Sequence, residues 1–314
     1  RGAVFNKDES LILTWSDDNT ARLWRTEDGS PAAQPMKHDH YVRGAVFNKD
    51  ESLILTWSSD NTARLWRTED GSPAAQPMKH DNSLLGVGVR GAVFNKDESL
   101  ILTWSDDNTA RLWRTEDGSP AAQPMKHDND VRGAVFNKDE SLILTWSSDN
   151  TARLWRTEDG SPAAQPMKHD NYVRGAVFNK DESLILTWSS DNTARLWRTE
   201  DGSPAAQPMK HDDSVIGAVF NKDESLILTW SDDKTARLWD IGADYDFPQE
   251  HLPLLVEVAT GTKMDDYGNV TVLFKDEWEQ KKQEYIKVAE EHLKTCKYKK
   301  YNMYLTRQKQ YWKP

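Results

Sequence analysis

Cysteine is almost missing from this 314-residue sequence: Cys296 is the only one. That excludes an intramolecular disulfide framework and any multi-cysteine metal site, so the fold must rest on packing. Long apolar runs are also missing. No stretch approaches the roughly 18 apolar residues of a membrane helix, and the first residues do not read as a signal peptide. The expectation is a soluble, cytoplasmic protein without membrane contact. G-x-S-x-G, a Walker loop and H-E-x-x-H are all absent, so no enzyme activity, metal or cofactor is expected. Positive charge is scarce in the body: of the net −11, residues 276–314 contribute +4 and residues 1–275 contribute −15. An acidic body argues against binding a phosphate backbone, and no nucleic-acid partner is expected.

What is abundant is repetition. "RGAVFNKDESLILTWS" starts at residues 1, 43, 90, 132 and 174, and "IGAVFNKDESLILTWS" at 216, giving spacings of 42, 47, 42, 42 and 42. A period near 40 marks a propeller or solenoid, in which each unit buries its faces only against its neighbours. Within a unit, "VRGAVF", "SLILTW" and "TARLWR" are rich in β-branched and aromatic residues, with turn material between them. The short "AAQPMKH" follows; its internal proline, Pro77 in the second unit, suits an edge strand. That makes four strands per unit.

These residues resemble the WD40 family over residues 1–241. "KHDHYV" is similar to the family's Gly-His opening, with Lys37 in place of glycine and His38 and Val42 in register. "LTWSSDNTARLWR" is similar to its strand-turn-strand, with Asp60 in the turn, Trp66 closing and Arg67 replacing the final aspartate. Only Trp239-Asp240 keeps the name-giving dipeptide. The resemblance implies an all-β propeller of six, or with one more blade seven, four-stranded blades around a channel. It also implies a buried chain of His, Ser/Thr, Asp and Trp in each blade. The sets are His38, Thr56, Asp60 and Trp66; His80, Thr103, Asp107 and Trp113; His127, Thr145, Asp149 and Trp155; His169, Thr187, Asp191 and Trp197; and His211, Thr229, Asp233 and Trp239. The first copy has no such histidine. Six copies supply only five complete outer strands, so closing a ring needs one more, from after Asp240 or from upstream of Arg1.

The copies differ in few places. Before the turn aspartate stand Asp17, Ser59, Asp106, Ser148, Ser190 and Asp232. After each His-Asp come His40-Tyr41, Asn82-Ser83, Asn129-Asp130, Asn171-Tyr172 and Asp213-Ser214. After the valine come Arg43, Arg90, Arg132 and Arg174, but Ile216 in the last copy. In the family's arrangement all these positions open onto one rim around the channel mouth. Drift would also have altered "NKDES" and "TEDGSPAAQP", read as exposed turns where change costs little, and copies 1 to 5 are constant there. The expectation is a recognition surface for a macromolecular partner, most simply a protein. Most of the variants are one base from an Asn codon, as adenine-directed diversification would leave them.

"LLGVG", with Leu84 and Leu85, lengthens one rim loop by five residues and offers an apolar tip for a partner. Its Gly86, Gly88 and Gly91 spell G-x-G-x-x-G, but Gly91 enters a strand rather than a helix, so it is not a dinucleotide turn. Histidines recurring once per repeat suit structural roles, not a metal cluster. The arginines Arg1, Arg43, Arg90, Arg132 and Arg174 could take an anion at the mouth, although neighbouring aspartates offset their charge. The rival readings are a propeller enzyme with carboxylates converging at the mouth, and an engineered repeat without a ligand.

Residues 242–275 read as a connecting segment able to complete the last blade, with a short helix ending at Gly261 and a strand in "NVTVLF". Residues 276–314 read as a helical cap: a helix capped by Asp276 would turn Trp278, Tyr285, Ala289, His292 and Cys296 inward, and a second would run through "NMYLTRQKQYW". "LPLLVEVATGTKMDDYGNV" followed by "DEW" resembles the closing segment of bacterial WD40 proteins with an upstream kinase or NACHT-type effector. That resemblance implies a sensor module whose effector lies outside this sequence.

Overall fold

The structure is a computed structural model and describes residues 1–81, 88–241, 248–264 and 270–295. Two compact units are present: residues 1–219 with 229–237, and residues 220–228 with 238–314.

The fourth repeat shows how each blade forms. Val131–Phe136, Leu142–Ser147, Thr151–Arg156 and Met167–Lys168 make an antiparallel sheet in chain order. Alternation puts Leu144, Ala152 and Leu154 on one face. With Met167 they meet Ala176, Ile185 and Trp197 of the fifth blade, all buried. The same packing recurs between other consecutive blades, so each blade completes its neighbour's core.

Inside each sheet a tryptophan lies over a glycine. Gly133 pairs with Trp146 across the sheet, and a Cβ on Gly133 would fall inside the indole ring. Gly133→Ala is therefore expected to cost about 2 kcal/mol or more through overpacking. Chemical denaturation followed by tryptophan fluorescence would check it, and an unchanged midpoint would contradict it.

The turns read as inexpensive are not. In "NKDES" the Asn137 side chain accepts from Leu142 N–H at 2.8 Å and donates to Asp139 at 2.7 Å, while Glu140 holds φ 61°. The neighbouring blade's Glu182 carboxylate accepts from the Lys138 N–H and from the Asn137 amide. In "TEDGSP", Gly160 holds φ 74° against the Gln123 carbonyl, and Gln123 N–H donates to Asp159 O at 3.2 Å. Both turns join blade to blade. Their constancy follows from that, and needs no selection acting on the rim.

Among the described residues five blades have four strands and the sixth has three. The connecting segment does not supply a fourth among the described residues: Thr262–Met264 and Val270–Val272 pair with one another as a separate hairpin. At the first blade, Phe5 is 57% exposed, while its counterparts Phe47, Phe94 and Phe136 are half-buried.

In the second unit, α1 (Leu252–Thr260) ends at Gly261 in the left-handed conformation, where glycine carries no steric penalty. Helix α2 (Lys275–Thr295) starts one residue before the expected cap, with Asp276 and Glu277 in its first turn. Val258, Tyr285 and Ala289 form the core between the helices, and Trp278 donates its indole N–H to Val258 O at 3.0 Å. His292 is buried as the inward face requires. Cys296 and the expected second helix lie outside the described residues. No described helix is long and apolar enough to cross a membrane.

Candidate binding rim

Beneath the rim runs a buried relay. In the fourth blade Trp155 Nε1–H donates to Thr145 Oγ1 at 2.8 Å, and Thr145 stands 2.7 Å from His127 Nε2. His127 Nδ1 is 2.8 Å from Asp149. Thr145 has one proton to give, and the nearby Arg153 carbonyl is farther, at 3.4 Å, so that proton goes to Nε2 and Nδ1–H faces the carboxylate. This is the neutral tautomer. Burial pushes His127 below its ordinary pKa, against the pull of Asp149, and does the same at His80 and His169.

Burial would raise the Asp149 carboxyl, but hydrogen bonds from His127, Thr151 and the Asp128 N–H hold it below the usual range. In the third blade the same balance leaves Asp107 at about 2. The links between His38, Thr56, Asp60 and Trp66 have the same lengths within 0.1 Å, as do those of His80, Thr103, Asp107 and Trp113 and of His169, Thr187, Asp191 and Trp197. His211 reaches Thr229 and Asp233 likewise. The first blade keeps only Trp24 on Thr14. Sequence reading missed the rest of each carboxylate's shell: Thr151 and Arg153, at 2.7 and 3.0 Å from Asp149. Both recur in the constant "TARLWR".

Above the relay the inner strand bulges. In the fourth blade Val131 pairs with Ser147 and Gly133 with Trp146, leaving Arg132 unpaired. The bulge aims the arginine at the turn, where its Nε donates to Ser148 at 2.7 Å. Arg43 does the same to Ser59 and Arg174 to Ser190, while Arg1 meets Asp17 and Arg90 meets Asp106. Each arginine also faces the following blade. Arg43 lies 3.5 Å from Asp106, Arg90 3.2 Å from Asp130 and Arg174 3.7 Å from Asp232. Arg1 lies over the Tyr41 ring and Arg132 over the Tyr172 ring. Of the variable residues, Asp17, Tyr41, Ser59, Asp106, Asp130, Ser148, Tyr172, Ser190 and Asp232 are thus partners of one arginine series.

Two of them sit below the surface instead of on it. Ser59 and Asp106 are buried, because each is covered by the arginine it binds. Burial raises the Asp106 carboxyl, against Arg90 and Arg43. Asp17, His40, Tyr41, Asn129, Asn171, Asp213, Ile216 and Asp232 are exposed, and Asp130, Ser148, Tyr172, Ser190 and Ser214 half-buried. Asn82, Ser83, Leu84 and Leu85 lie outside the described residues. Among the described residues no group of histidines and carboxylates could hold a metal ion. A hollow of 550 Å³ between the far ends of the inner strands, lined by Phe5, Phe47, Phe94, Lys7 and Lys49, carries no copy-to-copy variation.

Four-stranded blades packed in series, with a His-Thr-Asp-Trp relay in each of the second to fifth, define a repeat of the propeller class. The profile of the family described as WD domain, G-beta repeat matches residues 31–67, 119–156, 161–198 and 203–240. Four repeats of the chain are thus matched by the WD40 family. Its repeats are, as a class, protein-interaction scaffolds and typically non-catalytic. No curated protein is similar to the chain. Among solved structures, the computationally designed Ika8 protein is similar in fold, at 17% identity and TM-score 0.60, over 76% of this chain and 70% of that one.

Proposed function

We propose that this chain is a non-catalytic recognition module that binds a protein partner through the rim carrying the variable residues. One observation supports the reading: among the described residues, most differences between otherwise matching copies fall on partners of the rim arginines or on residues beside them in sequence, and most of these reach solvent. The core, the relay and the clamping turns need constancy to fold. The rim positions accept Asp, Ser, Tyr or His while keeping an arginine partnered, so they can vary without loss of the blade. The resemblance of the tail supports a sensor in a bacterial signalling or defence protein, with a diversified face.

The test is capture from host lysate, with and without phage infection. The chain is compared with a version whose variable pairs are all Asn-Ser and from which residues 84–88 are removed. A partner held only by the original is expected. Equal capture by both, or by neither, would overturn the reading.

A further inference from the structure

The aspartates and serines at the turn position run Asp17, Ser59, Asp106, Ser148, Ser190, Asp232 around the array. Each arginine touches this position in its own blade, and Arg43 and Arg174 also reach that of the next blade. Arg1 and Arg90 therefore have a carboxylate of their own, at Asp17 and Asp106, and Arg43 and Arg174 borrow one from the following blade, at Asp106 and Asp232. Only the fourth blade has serine at both places. Arg132 donates Nε to Ser148, the corresponding residue of the next blade is Ser190, and no carboxylate lies within ion-pair distance of Arg132 among the described residues.

In place of a charge Arg132 has a ring. Its guanidinium carbon lies 4.7 Å from the Tyr172 centroid. Arg174 is 5.4 Å from the same ring and donates to its hydroxyl at 3.3 Å. Stacking and the Ser148 bond fix the plane of the Arg132 guanidinium, and no hydrogen bond to its terminal amino groups is seen. The side chain is exposed. An oriented guanidinium edge without a carboxylate, on a rim where the other arginines have one, is complementary to a planar carboxylate.

We infer that Arg132, oriented by Tyr172 and Ser148, receives an Asp or Glu carboxylate of an acidic peptide segment in the partner. This deepens the rim reading and rests on it. The probe is a short fluorescein-labelled peptide of alternating Glu and Gly, read by anisotropy at low salt. Its phosphoserine-Gly counterpart is run in parallel, with inorganic phosphate as competitor.

Ser148→Asp is the decisive variant. It gives Arg132 the internal carboxylate that three other copies carry at this position, so the blade folds. Ser148→Asp and Arg132→Gln are each expected to weaken Glu-Gly binding about tenfold or more, the scale of a charge-assisted pair. Gln34→Glu, the same charge change at an exposed position in the outer segment, is expected to leave binding unchanged. No binding of Glu-Gly, equal binding by all variants, or binding confined to the phosphoserine peptide and displaced by phosphate would each overturn the assignment. If the peptide fails while the rim-altered chain still loses its captured partner, the ligand chemistry is wrong and the rim reading stands.

Discussion

Acidification from about pH 7.5 to about pH 5.5 is expected to lower the unfolding midpoint steeply, by up to about 1.4 kcal/mol per pH unit for each of His80, His127 and His169. His80, His127 and His169 all have folded pKa values pushed below the ordinary 6.5 by burial, which outweighs the facing carboxylates. Between the folded and unfolded values the unfolded chain binds the additional proton, so stability rises with pH and is lost as pH falls below about 6.5. The carboxylates act in a different window. Asp60, Asp107, Asp149 and Asp191 are held below their ordinary 3.8; their contribution is fully present above 3.8 and lost only as pH falls toward the folded values. A loss already evident at pH 5.5 therefore belongs to the histidines. Urea melts followed by tryptophan fluorescence at several pH values would show it. Equal midpoints at pH 7.5 and 5.5 would mean that the imidazoles take their second proton as readily in the folded state as in the unfolded chain, contrary to the donor pattern that Thr145 imposes.

The relays were legible through the resemblance to the WD40 family, which implies a buried His, Thr, Asp and Trp in each repeat, and the chemistry agrees, since a buried imidazole and carboxylate need each other. Blade order and strand number were legible in the period and in the strand-like runs within each unit. Three features were not. The bulge at Arg132 leaves no mark beyond an arginine between Val131 and Gly133, because pairing register is a property of two strands. The clamp of Glu182 on Lys138 links residues 44 apart, and with every copy alike no contrast separates a structural turn from an idle one. The burial of Asp106 required knowing that two arginines from different blades converge on it. Identical repeats thus conceal their internal constraints and display only what is free to vary, which made the rim conspicuous and the turns look unconstrained.

Asp149→Ala is expected to destabilise the array by about 3 to 5 kcal/mol, the cost of removing one partner from a buried polar pair. The carboxylate accepts from His127 Nδ1–H, Thr151 N–H and Oγ–H, Asp128 N–H and Arg153. Its side chain is 3% exposed and that of His127 not at all. After truncation the Nδ1–H keeps only the long contact to Thr151 Oγ1 at 3.4 Å, and a buried donor without a good acceptor carries much of its desolvation cost. Asp128→Ala is the control. Its carboxylate meets the same Arg153 at 2.9 Å but is 86% exposed, so the loss should stay below about 1 kcal/mol. Because each blade packs only on its neighbours, the deep variant should also broaden the transition, the fourth blade's faces weakening before the rest. Equilibrium denaturation of both variants measures midpoint and slope together. If Asp149→Ala costs no more than Asp128→Ala, the relay contributes little to folding, and the constancy of its residues must come from a role in binding.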